Sequence, residues 1–260
     1  MKNFKTLWHL IEISLSASMI YRVNFWFEIG ALILHLGTYL ITVSILFFYT
    51  NSIAGWNKEE VILMIGLSYF SGGVFLTFIK PGLDKLPDYI HGGDLDIYLL
   101  KPIQIIFYLI FSSINFLFLP YLFSGLLLSI LSLLNLKTNL FISDIIFSSL
   151  VLSCGIIIFS SIYLVLICIY FWMLESNIEQ LFLSLTNLTR YPLDVLNKVG
   201  KFIFSWIIPF AFISFLPGRV LLHRVEWWEI ILVFPITFII GYLSFVFWKF
   251  ALKSYTSASS

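Results

Sequence analysis

The sequence predicts an all-α, polytopic membrane protein, and three observations lead to this fold class. Hydrophobic residues make up 60% of the chain and charged residues only 11%, whereas about a quarter of an ordinary soluble domain is charged. The mean hydropathy is +0.99. Apolar runs long enough to cross a bilayer, which takes about 20 residues, alternate with short polar segments. The net charge of +1 gives no electrostatic reason to expect a nucleic-acid partner.

Residues 1–23 predict an amphipathic helix that lies in the membrane interface and does not span the bilayer. Apolar side chains recur with helical spacing on one face, at Phe4, Leu7, Trp8, Ile11, Leu15 and Met19. The other face carries the polar residues Lys5, His9, Glu12 and Ser16. This distribution is typical of a helix whose apolar side enters the headgroup boundary. A flexible tail is the alternative, and the regular spacing disfavours it.

The remaining chain, residues 24–260, is predicted to form one domain of six transmembrane helices. Hydropathy places the spans at 24–49, 61–79, 103–134, 144–173, 202–222 and 230–248. The third run, about 32 residues long, exceeds one bilayer core in length. Pro120 and Gly125 are therefore expected to kink this helix. Asn115, its only strongly polar residue at mid-helix, is expected to make a packing hydrogen bond.

Small residues in the second span predict a close contact with another helix. Gly66 and Gly73 lie seven residues apart, and Ser68 and Gly72 lie four residues apart. Small residues at such spacing let the backbones of two membrane helices approach each other.

The first span carries a polar stripe at Glu28, His35, Thr42 and Tyr49, which recur every seven residues. Ionisable groups inside a membrane usually face the interior of a helix bundle or a wet cavity. Glu28, His35 and Thr42 are therefore candidates for lining a transport path. The alternative is structural: Glu28 at the interface near Arg22, and His35 as a hydrogen-bonded core residue.

The segment from Gly92 to Pro102, called the cassette below, has its own start and stop signals. Gly92 and Gly93 end the preceding structure, and Asp94 is a good N-cap for a short helix. Leu95, Leu99 and Leu100 are predicted to lie on one side of that helix, which Pro102 ends. Such a helix suits either a docking surface for a soluble partner or a surface helix lying on lipid headgroups.

Several stretches of the chain resemble one known family. The cassette resembles the coupling-helix loop of type-2 permeases of ATP-binding-cassette (ABC) exporters. Fragments similar to that family are Tyr191-Pro192-Leu193, Ile208-Pro209-Phe210-Ala211-Phe212 and Leu216-Pro217-Gly218. The end of the chain, with Trp248, Lys249 and Tyr255-Thr256-Ser257-Ala258-Ser259, resembles the end of one subgroup of these permeases. The resemblance covers the loop after the second span and the last third of the chain.

This resemblance implies that residues 80–102 form a cytoplasmic coupling loop that presses against a separate ATPase subunit. The coupling residues would be Gly92, Gly93, Asp94, Leu95, Asp96, Tyr98, Leu99, Leu100 and Pro102. It also implies a second permease, identical or related, beside this chain in the lipid membrane. No cofactor is expected on this chain, because ATP and Mg would be bound by the partner ATPase.

The region between residues 174 and 222 has two interpretations. Hydropathy alone makes 174–201 a loop and 202–222 a span. The resemblance implies a short fifth span at 178–189, followed by a re-entrant outer hairpin at about 200–222, for which Pro209 and Pro217 are suited. Broken helices of this kind are tolerated in a membrane where protein or water covers the backbone. The polar residues Glu179, Gln180 and Asn187 argue against a lipid-facing fifth span.

The distribution of basic residues predicts the orientation. With the hydropathy spans, eleven lysines and arginines lie on the side of the cassette and both termini, and four lie on the other side. With the re-entrant hairpin the division becomes eight to seven, and the first three spans still place the cassette in the cytoplasm. We therefore expect a multi-pass protein of the bacterial cytoplasmic (inner) membrane with both termini cytoplasmic.

The sequence has no GxxxxGK[ST] phosphate loop and no HExxH, CxxC or GxSxG motif. The resemblance makes the first hypothesis a non-enzymatic permease subunit of an ABC exporter that moves an amphipathic or apolar substrate. One alternative is a lipid-modifying membrane enzyme that uses Glu28 and His35 as acid and base. The other is a non-catalytic membrane scaffold. No metal site is expected, because lysines interleave with the aspartates of the coupling loop.

Overall fold

The computed structural model describes residues 22–100, 104–173 and 178–255. The predicted interfacial helix at 1–23 lies almost wholly outside these residues, as do Lys101, Pro102 and the last five residues. The described chain is helical and has no β-sheet. Its α-helices are α1 (Arg22–Tyr49), α2 (Lys58–Val74), α3 (Lys80–Leu83), α4 (Lys85–Gly92), α5 (Leu95–Leu99), α6 (Ile105–Ser112), α7 (Leu119–Leu136), α8 (Ile142–Ile167), α9 (Ile178–Thr186), α10 (Lys198–Phe202), α11 (Phe215–Leu221) and α12 (Trp227–Lys253).

Within the described residues, five helical stretches are long and apolar enough to cross a membrane. They are Val23–Tyr49, Lys58–Gly92, Phe116–Leu136, Ile142–Phe171 and Trp227–Lys253. They correspond to the first, second, third, fourth and last predicted spans. The membrane-protein class is thus confirmed, and a sixth span by the same criteria is not present in this part of the chain.

The third predicted span is not one kinked helix. Helix α6 ends at Ser112, and helix α7 begins at Leu119. Asn115 lies in this break, where its side-chain oxygen accepts a hydrogen bond from the Leu117 N–H at 3.1 Å. Its side chain therefore caps the next turn, and its backbone N–H donates a hydrogen bond to the Thr77 carbonyl of the second predicted span at 2.9 Å. Pro120 lies in the first turn of α7, where its missing N–H removes no helical hydrogen bond, so it starts a helix and kinks none.

Helices α2 and α7 pack closely through glycines. A Cβ atom added to Gly66 would lie 2.5 Å from Ser129 Oγ, and one added to Gly73 would meet the Leu122 backbone. Gly125, predicted to kink α7, instead admits the backbone of α2 at Gly66. The close contact predicted from Gly66 and Gly73 is confirmed. Gly72, in contrast, has open space around its Cβ position, because this side of α2 borders a cavity.

The ends of the bundle are marked by two polar regions. We call the region around the 50–57 loop the Trp56 end, and the region around the cassette the cassette end. At the Trp56 end, Arg224 pairs with Glu60 at 2.6 Å, and Arg219 pairs with Glu229 at 2.6 Å. At the cassette end, Lys80 pairs with Asp84, and both side chains are partly buried.

Residues 202–222 do not form the continuous helix that hydropathy predicts. Lys201 pairs with Asp194, whose carboxylate accepts a hydrogen bond from Trp56 Nε1, so this segment begins at the Trp56 end. Its middle reaches α8, where the Phe212 carbonyl lies against Gly155. The chain is back at the Trp56 end at Arg224. Both arms of residues 198–224 therefore start and finish at the same end of the molecule.

The preceding segment connects the two ends. Glu179, in the first turn of α9, lies 4.0 Å from Lys80 Nζ at the cassette end. Asp194 lies at the Trp56 end. Residues 179–194 thus run the length of the bundle as a short helix and tight turns, although their polar composition keeps them from resembling a transmembrane helix. Phe182 of this segment is buried against Phe159 and Tyr163 of α8.

Candidate functional site

The cassette contains a helical turn that is held by its surroundings. Gly93 has φ of +76°, a conformation that side-chain-bearing residues rarely adopt, and it ends α4. Asp94 then occupies the N-cap position of α5, but its side chain makes no capping hydrogen bond. Its backbone is already helical, with φ of −68° and ψ of −15°, whereas a capping residue usually has an extended backbone. The predicted position of Asp94 is correct, and its predicted capping bond is absent.

The three leucines of the cassette do not form one exposed face. Leu95 is 0% exposed and packs in the core at the cassette end. Leu99 is 47% exposed, and Leu100, beyond the end of α5, is 87% exposed. Leu95 therefore anchors the turn, and the apolar surface left for a partner consists of Ile97, Leu99 and Leu100.

Aromatic rings hold α5 in place from both sides. The ring of Tyr98 stacks on that of Tyr89 with centroids 4.6 Å apart, and it lies 5.2 Å from Tyr108. Tyr255, in the stretch after α12, packs against the same core. Burial and the neighbouring Asp96 carboxylate raise the pKa of Tyr255. The end of the described chain thus contacts the cassette.

A polar network lies between the cassette and the centre of the bundle. The Tyr163 hydroxyl donates a hydrogen bond to Asp84, which also pairs with Lys80. The Glu179 carboxylate accepts a hydrogen bond from the Tyr170 hydroxyl at 3.4 Å. The network connects α3, α8 and the start of α9.

Above this network, towards the Trp56 end, lies a cavity of about 360 Å³. One part of its wall is apolar and includes Phe75, Leu76, Phe159, Leu183 and Ile213. The other part is polar and includes His35, Ser68, Tyr69, Tyr121, Gln180, Asn187, Thr189 and Arg190. The volume is in the range of small-molecule binding pockets.

Arg190 provides the positive charge of the cavity. Its guanidinium carbon lies 4.3 Å from the ring centroid of Tyr39 and 5.1 Å from that of Tyr69. Among the residues that the structure describes, no carboxylate forms an ion pair with Arg190. Tyr69 lies halfway between Lys58 and Lys80 along the second span, so the charge is near mid-bundle. A cationic side chain at this depth costs about 2.5–3.5 kcal/mol, which makes it a functional candidate.

His35 connects Arg190 to Tyr69. Its Nε2 atom lies 3.5 Å from Arg190 Nη1, and its Nδ1 atom lies 3.1 Å from the Tyr69 hydroxyl. Because arginine can only donate, Nε2 accepts and Nδ1–H donates to the Tyr69 oxygen. The Tyr69 O–H is then free to donate into the cavity.

The structure brings only one of the three predicted path residues to the cavity. His35 lines it, whereas Glu28 and Thr42 do not. The Thr42 hydroxyl donates to the Thr38 carbonyl of its own helix. In the described chain no hydrogen bond or ion pair joins Glu28 to His35.

Sequence reasoning missed Arg190 and the tyrosines around it. Hydropathy placed Arg190 in a loop and counted it among the residues that decide orientation. One available signal was the polar side of α2, where Ser68, Tyr69 and Gly72 share a face; that face was assigned to helix packing. In the structure Ser68 contacts Thr189 at 2.8 Å, next to Arg190.

Comparison with known proteins identified one family. The family model for "ABC-2 family transporter protein" matches residues 33–259. No curated protein and no solved structure matches the chain. The matched residues include the cassette, the cavity and the 198–224 segment.

Proposed function

Because the chain belongs to the ABC-2 transporter family, we propose that it is the transmembrane permease subunit of an ATP-driven exporter. It moves an amphipathic or apolar substrate across the cytoplasmic membrane, while a separate ABC ATPase chain binds and hydrolyses ATP. The family match over most of the chain is the observation that carries this proposal. The role of this chain is transport, and the catalytic residues for ATP belong to the partner.

The cassette is the proposed docking surface for the ATPase. Exposed Leu99 and Leu100 supply apolar contact area, and Asp94 and Asp96 flank it with charge. Leu95 and Tyr98 fix the turn to the body of the permease. Gly92 and Gly93 set its angle, and Pro102 belongs to the same predicted segment. A rigidly held apolar turn suits transmission of force, because it cannot fold away when a partner presses on it.

The proposed path of the signal runs from α5 to the cavity. ATPase closure displaces α5, and the Lys80–Asp84–Tyr163 network passes the displacement to α8. Phe75, next to Tyr163 at 5.2 Å between ring centroids, lines the apolar part of the cavity. The cavity thereby changes its access from one side of the membrane to the other.

We further propose six crossings, with residues 179–194 as the fifth and 198–224 as a re-entrant hairpin. The ends of these segments at the cassette end and the Trp56 end support this path. Both termini and the cassette lie in the cytoplasm of a bacterium. The lightly covered surface of α1, where Phe27 and Leu34 are exposed, faces lipid or a second permease copy.

Co-purification tests the proposal. Tagged full-length protein is purified in a mild detergent from its native host, and the proteins that accompany it are identified. The test variant is Leu99→Asp/Leu100→Asp. The matched control is Phe141→Asp/Ile142→Asp, which changes two adjacent residues, 63% and 78% exposed, at the Trp56 end. Leu95 is left unchanged, since a buried aspartate there would destabilise the fold.

The proposal predicts an ABC ATPase with the wild type and the control, and at least tenfold less of it with the test variant. Retention by both variants would keep the transporter assignment and remove the cassette as the docking surface. If no ATPase accompanied the wild type, the permease assignment would fail.

A further inference from the structure

We propose that the central cavity binds an amphipathic anion, with Arg190 anchoring its negatively charged head group and the apolar wall holding its hydrocarbon part. This inference names the substrate class of the permease, and it rests on the proposed function for the statement that the bound molecule is transported. The binding itself is a property of this chain alone.

Arg190 has unused hydrogen-bonding capacity. A guanidinium group has five N–H donors. In the described chain, the only hydrogen-bond acceptor for them is His35, at 3.5 Å. The guanidinium carbon lies over the Tyr39 and Tyr69 rings, which hold the group in place but accept no conventional hydrogen bond. The remaining N–H donors of Arg190 are held in place and are not bonded to a carboxylate of the described chain. They are therefore available to the oxygen atoms of an anionic ligand.

Two tyrosines near Arg190, Tyr69 and Tyr121, offer neutral hydrogen-bond donors. In the His35 tautomer that a hydrogen bond from Arg190 to Nε2 requires, Nδ1–H donates to the Tyr69 oxygen, and the Tyr69 hydroxyl hydrogen is left for a ligand. Tyr121 stacks parallel to Tyr69 with ring centroids 6.2 Å apart, and it lines the same cavity. Glu28 lies near enough to influence Tyr121 electrostatically, yet it forms no ion pair with Arg190. Two phenolic donors beside a cation favour an acceptor-only ligand such as a phosphate or carboxylate group.

The cavity wall has a polar part and an apolar part. The serine and threonine hydroxyls near Arg190 are already engaged: Ser68 with Thr189, and Thr189 with the Thr186 carbonyl. The apolar part of the wall includes Phe75, Phe159 and Ile213. A free inorganic anion would leave this apolar wall without a partner, whereas an alkyl or aryl group attached to the anion would cover it. The ligand is therefore amphipathic.

Binding of dodecyl phosphate to the purified full-length permease tests this proposal. The protein is kept in an uncharged detergent, and affinity is measured for dodecyl phosphate, its neutral counterpart dodecanol and inorganic phosphate. We expect dodecyl phosphate to bind more tightly than either of the others by on the order of tenfold, because charge-assisted hydrogen bonds to an arginine are worth that factor. This comparison needs no variant and stands even if a substitution prevents folding.

The variant Arg190→Gln should weaken dodecyl phosphate binding by on the order of tenfold and leave dodecanol binding unchanged. The control Lys198→Gln removes the same charge from an exposed side chain at the Trp56 end, and it should bind like the wild type. Equal binding of dodecyl phosphate and dodecanol by the wild type would overturn the proposal. Unchanged affinity in folded Arg190→Gln would overturn it too, as would inorganic phosphate binding as tightly as dodecyl phosphate.

These outcomes are independent of the ATPase. Absence of an ABC ATPase from the wild-type preparation would refute the transporter mechanism without affecting the binding data, and a failed binding experiment would leave the ATPase result intact. The two proposals therefore fail separately.

Discussion

Arg224 and Arg190 both stack on aromatic rings, and they differ in whether an acidic partner is present. Arg224 lies 4.8 Å from the Trp56 ring centroid and pairs with the buried carboxylate of Glu60 at 2.6 Å. Arg190 lies 4.3 Å from the Tyr39 ring centroid and has no such partner among the described residues. The first is at an end of the bundle, and the second is at its centre.

This difference separates a structural arginine from one that is available to a ligand. At the Trp56 end, the Arg224–Glu60 pair joins the start of α2 to the chain that leaves the 198–224 hairpin. Its positive charge is neutralised within the fold. In the cavity, the same type of stacking keeps Arg190 in position while its charge is left for a molecule that enters. Three comparisons between variants test how far this contrast holds.

The largest effect is expected on stability. Arg224→Gln leaves the Glu60 carboxylate buried without a cation, which should lower the free energy of unfolding by about 2 kcal/mol, since Arg224 itself is partly exposed. Arg190→Gln leaves no carboxylate unpaired and should change the free energy of unfolding by less than about 1 kcal/mol. Thermal unfolding in detergent measures both. Equal destabilisation by the two substitutions would mean that Arg190 has a structural role like that of Arg224.

A smaller effect is expected from giving Arg190 a carboxylate. Asn187 and Arg190 lie three residues apart in a 3₁₀ turn, where such side chains eclipse each other. Asn187→Asp should therefore neutralise Arg190 and weaken dodecyl phosphate binding by on the order of tenfold. Asn197→Asp, the same exchange at the Trp56 end, is the control. Undiminished binding in the Asn187→Asp protein would show that the charge of Arg190 does not hold the head group.

The smallest effect is expected from the ring under the guanidinium group. Tyr39→Leu removes one stacking surface and leaves the charge, so dodecyl phosphate affinity should fall about two- to fivefold. Tyr49→Leu changes an exposed tyrosine of the same helix and should have no effect. If Tyr39→Leu abolished binding altogether, Tyr39 would contact the ligand directly, and the assignment of roles would change.

Sequence reasoning succeeded where hydropathy and length decide the structure. The bounds of helices α1, α8 and α12 agree closely with the predicted spans. Each is a long apolar run, whose conformation of lowest free energy in a membrane is a continuous helix. Gly66 and Gly73 also lie at the close contact between two helices that small residues at helical spacing predict. These features depend on local sequence.

Features that depend on tertiary neighbours were not predicted. The break at Ser113–Asn115 lies in an apolar run, and it depends on the Asn115 N–H donating to Thr77 of another segment. Leu95 and Leu99 carry the same side chain, yet only packing against the core buries the first. Arg190 looked like a loop residue because residues 179–194 are too polar and too broken to count as a span. Gln180, Asn187 and Arg190 of this segment line the cavity.

The central claim is that occupancy of the cavity is coupled to ATP hydrolysis on the partner chain. The most direct measurement is the rate of ATP turnover by the co-purified complex, reconstituted in lipid nanodiscs, with and without dodecyl phosphate. We predict that the ligand changes the rate for the wild type and for Lys198→Gln, and has no effect on the complex containing Arg190→Gln. A rate that is indifferent to dodecyl phosphate in the wild-type complex would contradict the account.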